Sequence, residues 1–224
     1  MPDYFTHGIA AELIYEKLEN KYRNILSPKP LYLLGAEGGD VFFAYDVKPT
    51  KTNLGRVLHT KNPIYLFEKL SQGNLTYAAG FATHYALDCT LHPYVYAYES
   101  TKKSPLSHSG FESDLGLYMS KKYARRRSIV PLEQILACTS PVYDSVKRIE
   151  PFITMTGTER CLKRYFAYTR FLFRTKRQEF KCDYDFTNLD SDIEAGIELG
   201  LAAVKCVLDG KIDPDIFGKQ FLQK

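Results

Sequence analysis

The feature that most constrains this chain is the long apolar run between Leu75 and Tyr96, which carries His84, Asp88 and His92 at intervals of four. On an α-helix, residues i and i+4 stack on one face, about 5–6 Å apart at Cβ. A helix here puts all three polar side chains in one stripe, among Phe81, Tyr85, Leu87 and Leu91. A bare aspartate in such surroundings is costly to bury without a compensating charge. Two ligands one turn apart suit one metal ion. Three on successive turns suit two ions, with the middle carboxylate bridging them. Pro93 is expected to end or kink the helix.

A second spacing of the same kind follows. His108 and Glu112 stand at i and i+4 in the first turn of a helix predicted over Ser107–Ala124. A neutral histidine beside a carboxylate is a common zinc-binding arrangement. Taken singly, each pair reads as a surface hydrogen bond. Taken singly, His7 reads as a packed or capping histidine, His59 as exposed near a loop end, and Asp40 as a turn residue. Two pairs between residues 84 and 112, with His92 in register, point instead to a metal site. The chain has only five histidines, and none follows His108.

The rest of the sequence reads as an all-α fold, one multi-helix domain over residues 1–224. Helical periodicity recurs and strand-like alternation is scarce. Helices are predicted from Phe5 to about Tyr22, over Pro63–Gln72 behind an Asn62 cap, and over Ser140–Ile149. Capping boxes at Thr156–Glu159 and Ser191–Glu194 are expected to open helices running to about Phe180 and Leu208. The segments Ser27–Lys61 and Glu99–Ser107 read as irregular, the first being rich in Pro and Gly.

Composition narrows the function classes. A hydrophobic share of 45% and a charged share of 25% are ordinary for a globular protein. A net charge of +4 favours small anionic partners such as phosphate esters, without the strong positive charge of a dedicated nucleic-acid binder. Basic residues interleaved with Tyr and Phe after Gly157 read as the solvated face of an amphipathic helix. A membrane-surface or nucleic-acid role for them comes second. Five cysteines without a CxxC give neither a disulfide framework nor a zinc finger. The start lacks the pattern of a signal peptide, and no apolar window is long enough for a transmembrane helix. The expected location is cytoplasmic.

Several stretches resemble the zinc-dependent phospholipase C family, which includes bacterial alpha-toxin and is structurally related to the fungal single-strand zinc nucleases. Gly80–Asp88 with His92-Pro93-Tyr94 resembles the family's central helix. Leu34–Phe43 resembles its aspartate-bearing loop, Met1–His7 the start of its short members, and His108 through Glu112 its second HxxxE. The resemblance covers roughly residues 1–118. It implies an all-helical fold and two or three zinc ions. The first would take Asp40, His59, His84 and Asp88, and the second His92, His108 and Glu112. The third would take His7 and the bridging Asp88, together with an N-terminal tryptophan. This chain has no Trp. Asp3, four residues before His7, is the substitute ligand. Ligands of this kind also suit Mn, Fe or Ni.

The expected activity is that of a zinc-dependent phosphoric ester hydrolase, in which a metal-bridged hydroxide attacks a phosphodiester, phospholipids included. Asp40 is the expected proton acceptor and Glu37 the second candidate base, although a lone Glu37 reads as a solvated loop residue. Tyr94, Tyr96 and Tyr98 read as core or rim packing near the pocket. The alternatives are a nuclease or phosphomonoesterase using the same metals, and a non-catalytic metal-stabilised helical module. An HD-type site needs a contiguous His-Asp pair, and a ferritin-like di-iron site needs Glu-x-x-His. The sequence contains neither.

Overall fold

A computed structural model describes residues 4–46, 52–102, 104, 106–125, 130–174 and 179–221. The first half contains α1 (Tyr4–Lys17), α2 (Asn20–Ile25), α3 (Lys29–Ala36), a 3₁₀ turn over Gly38–Ala44, α4 (Leu54–Thr60), α5 (Pro63–Gly73) and α6 (Leu75–Thr101). The second half contains α7 (Ser107–Lys122), α8 (Leu132–Ala137), α9 (Thr139–Val146), α10 (Met155–Arg174), a 3₁₀ turn over Phe186–Leu189, α11 (Asp190–Leu208) and α12 (Pro214–Phe217). Among the described residues there is no strand, so the fold is all-α as the periodicity implied. No described helix is long and apolar enough to cross a membrane.

α6 is the axis of the molecule. Its 27 residues span about 40 Å at 1.5 Å per residue. The side chain of Asn74 caps it, accepting from the Tyr77 N–H at 3.0 Å. α3 and α11 pack along it, and α1, α5 and α7 complete the surroundings. The crossing with α3 is close because both helices place glycine there. A Cβ on Gly35 would lie 2.3 Å from the Tyr77 carbonyl, and one on Gly80 would lie 2.1 Å from that of Tyr32. One buried hydrophobic cluster runs from Phe5 to Phe221.

Several boundaries differ from the expectation. Pro93 does not end α6, which continues to Thr101. Pro93 is exposed, so the carbonyl it leaves unpaired can meet water, and packing on both flanks carries the helix onward. The expected irregular stretch Ser27–Lys61 contains α3, a 3₁₀ turn and α4. Pro30 sits in the first turn of α3, where a missing N–H costs nothing. Asn53 caps α4 by accepting from the Gly55 N–H at 3.0 Å. Residues Phe5–Tyr22 form two helices rather than one. The helix expected from Thr156 begins at Met155, because the Thr154 hydroxyl, not Thr156, accepts from the Gly157 N–H. α11 starts before Ser191, continuing from a 3₁₀ turn capped by Asp185. α10 is amphipathic as expected, with Arg160, Lys163 and Arg170 exposed and Cys161, Leu162 and Tyr165 buried.

Candidate metal centre

The stripe on α6 forms as the spacing required. His84 Nε2 lies 3.2 Å from Asp88 Oδ2, and His92 Nδ1 lies 3.1 Å from Asp88 Oδ1. Asp88, 1% exposed, is the hub of the cluster.

Three other elements converge on it. α1 brings His7, whose ring centroid is 4.3 Å from that of His84 and whose Nε2 is 3.4 Å from Asp88 Oδ1. α4 brings His59, with Nε2 3.6 Å from Asp88 Oδ2 and 3.3 Å from Asp40 Oδ1. Asp40 comes from the 3₁₀ turn. That turn can lie against the rings only because it begins with two glycines. Gly38 has φ +52°, and a Cβ there would sit 2.2 Å from His84 Cδ2. A Cβ on Gly39 would sit 2.5 Å from His59 Cε1. α7 brings the outer pair, His108 Nε2 and Glu112 Oε1, 2.9 Å apart, with His92 Nε2 3.6 Å from the same carboxylate oxygen.

Three sets of ligand atoms lie within 4.8 Å of one another: His7, Asp40 and His84; His59, His84 and Asp88; and His92, His108 and Glu112. Every candidate metal ligand named from the sequence is thus brought to one centre, except Asp3, which lies outside the described residues. His59 and Glu37 are buried, at 4% and 3% exposure, where a reading of each alone made them solvated.

The donor set suits a cation. His59 Nδ1 is 2.7 Å from the Gly55 carbonyl, which can only accept, so Nδ1 carries the proton and Nε2 of the neutral ring carries a lone pair. That lone pair faces His84 Nε2 at 3.1 Å and two carboxylates. Asp40 Oδ1 and Asp88 Oδ2 are buried and receive no hydrogen bond. Buried acceptors aimed at one another are expensive unless something positive lies between them. Ligand atoms bound to one tetrahedral zinc at about 2.0–2.2 Å are about 3.3–3.6 Å apart. The contacts around Asp88 and Asp40 run from 3.1 to 3.6 Å.

Without metal, protons take the place of the cation. Burial alone would push Asp88 up, but the charges of His84 and His92 hold it well below the usual carboxylate range. Burial would push His92 down, yet Asp88 and Glu112 raise it well above the usual histidine range. Burial would likewise raise Glu112, and hydrogen bonds from His108 and His92 bring it down to about 2. His7 goes the other way, lowered to about 4 by burial first and His84 second.

Three groups around the centre have no signature in the spacing. Glu99 Oε2 lies 3.1 Å from His108 Nδ1 and orients that ring. The Tyr165 hydroxyl on α10 donates to Glu37 Oε2 at 2.7 Å, anchoring the residue before Gly38. Phe221 places its ring 5.6 Å from that of His59 and 6.3 Å from that of His84. Tyr165 and Phe221 are far along the chain from their partners, and no local pattern could have found them.

Neither the curated proteins nor the solved structures gave a match to the chain. A family model described as zinc dependent phospholipase C matches residues 6–197, well beyond the stretch where the resemblance was visible by motif. With that match across most of its length, and with a cluster of histidines and carboxylates able to hold metal, the chain belongs to the zinc dependent phospholipase C family.

Proposed function

We propose that this protein is a zinc-dependent hydrolase of phosphodiesters, phospholipase C-like, working as one domain over residues 1–224. The observation that carries the reading is the convergence of His7, His59, His84, Asp40 and His92 on Asp88, with His108 and Glu112 beside it.

Inner zinc would be held by Asp40, His59, His84 and Asp88, outer zinc by His92, His108 and Glu112, and a third ion by His7 with Asp88. Zinc held there supplies a Lewis acid that makes water nucleophilic near neutral pH and offsets charge on phosphoryl oxygens. Three carboxylates against two divalent ions leave the centre cationic, which draws an anionic ester. The protein's own groups do the rest. Asp40 takes the proton of the attacking water at its carboxylate, which lies beside His59 Nε2. Gly55 fixes the His59 tautomer, and Glu99 orients His108. Phe43 and Phe221 close the His59 side against water. Glu37, engaged by Tyr165, serves as a brace for the Gly38–Asp40 turn rather than as the base. A phospholipid head group is the favoured substrate because of the family, and nucleic acid ranks second. Cys89, Cys138, Cys161 and Cys206 are thiols in the structure, which suits a reducing cytoplasm.

The test is hydrolysis of bis(p-nitrophenyl) phosphate by zinc-loaded protein. Activity that a chelator abolishes and zinc restores is expected. Asp40→Asn should lower kcat by about 100-fold or more while keeping the outer zinc, whose ligands do not include it. Full activity of that variant with intact metal would remove Asp40 from the role of base. No turnover of any phosphodiester by the loaded wild type would sink the reading itself.

A further inference from the structure

The ligand stripe on α6 does not stop at His92. Four residues on, Tyr96 continues the same face. Its ring centroid lies 5.5 Å from that of His92 and 5.7 Å from that of His108. The tyrosines on either side of it turn elsewhere. Tyr98 donates to Asp183 Oδ1 at 3.0 Å, and Tyr94 bonds to Asp192. Tyr96 is half-buried, and among the described residues its hydroxyl makes no hydrogen bond. It stands beside His108, the most exposed member of the cluster, with a side chain 23% accessible. Tyr96 therefore sits where the cluster comes nearest to solvent.

A phenol, with an ordinary pKa of about 10, keeps its proton at neutral pH and can donate it in a hydrogen bond. The carboxylates and imidazoles nearby are committed to holding metal. Tyr96 is a neutral donor beside the outer ligands.

We propose that Tyr96 is a catalytic residue whose hydroxyl donates a hydrogen bond to a non-bridging oxygen of the phosphoester at the outer ligand group. The proposal rests on the phosphodiesterase reading above and adds the residue that grips the phosphoryl group. A neutral donor suits that task, because it meets growing negative charge without displacing the cations. One hydrogen bond to a charged oxygen contributes about 1.5–3 kcal/mol. Its loss therefore corresponds to about 10–100-fold in rate.

The experiment compares zinc-loaded wild type, Tyr96→Phe and Tyr98→Phe. Zinc content, melting temperature, inhibition by inorganic phosphate, and kcat and KM on bis(p-nitrophenyl) phosphate are measured. Tyr96→Phe keeps the ring and should keep the zinc and the melting temperature. It should lose about 10–100-fold in kcat/KM and about tenfold in phosphate affinity. Tyr98→Phe should match the wild type in turnover. Wild-type turnover and phosphate affinity in Tyr96→Phe would overturn the proposal and leave the hydrolase reading standing. Loss of zinc from Tyr96→Phe would also overturn it, by making Tyr96 a support of the metal. A loaded wild type that neither binds phosphate nor hydrolyses a phosphodiester would overturn both.

Discussion

The inner part of the ligand cluster is walled in, and the outer part is open. His7, Asp40, His59, His84 and Asp88 are all between 0 and 4% exposed. They are set by backbone and core packing: two glycines pressed against imidazole rings, a carbonyl on His59, and aromatic rings from Phe43 and Phe221. The outer group of His92, His108 and Glu112 reaches the surface at His108 and is braced by Glu99, itself 48% exposed. The difference separates two jobs. The fold itself dictates the inner geometry, so a metal bound there would be held as firmly as the core. The outer geometry depends on a few side chains near solvent, which is where the proposed substrate oxygen would enter.

The sharpest way to break that contrast is Gly38→Ala. The substitution forces a side chain into a φ of +52° and into contact with the His84 ring. Left-handed backbone costs roughly 1–2 kcal/mol, and overpacking adds about 1–3 kcal/mol. Denaturant unfolding should show a loss of about 2–5 kcal/mol, together with loss of the inner zinc. Wild-type stability and full zinc would show that the turn is not what sets the inner site.

A smaller effect concerns protons at the junction of the two parts. In the metal-free protein His92 titrates above its ordinary 6.5. Its contribution to stability is therefore complete below about 6.5 and is lost as pH rises through the raised folded value. Zinc reverses the dependence, because only the neutral imidazole binds, and metal affinity should climb with pH. Isothermal titration of zinc at neutral pH, in two buffers of different ionisation enthalpy, should detect a released proton. Identical heats in both buffers would contradict the assigned state of His92.

The smallest effect is expected from Glu99→Gln, which keeps the shape of the brace and removes its charge. Affinity for the outer zinc should fall about tenfold, the low end for a residue that orients a ligand, because Glu99 is half in water. The inner zinc and the melting temperature should not change. Competition with a graded series of chelators reads the two affinities separately, and equal weakening of both would mean that the two parts are not independent.

What the sequence made legible follows the same line. The α6 stripe and the His108–Glu112 pair were visible because helical spacing of four is a local rule. The Asp40 turn and His59 could be placed only through resemblance, since neither has a partner nearby in sequence. The stretch holding them read as irregular because its prolines and glycines look like breaks. Pro30 instead opens α3, Gly35 admits the close approach of α6, and Gly38 and Gly39 make room for imidazole rings. Tyr96 was within reach of the spacing rule but was hidden by the abundance of tyrosine. Tyr165 and Phe221 were beyond it, because contacts across more than a hundred residues are set by how the helices pack.

The most direct test of the central claim is metal content per chain, measured by mass spectrometry on protein purified without chelator or nickel resin, for wild type and Asp88→Asn. The account predicts two or three zinc ions in the wild type and a sharp drop in the variant, because Asp88 touches four imidazoles at once. One ion or none, unchanged by the substitution, would contradict it.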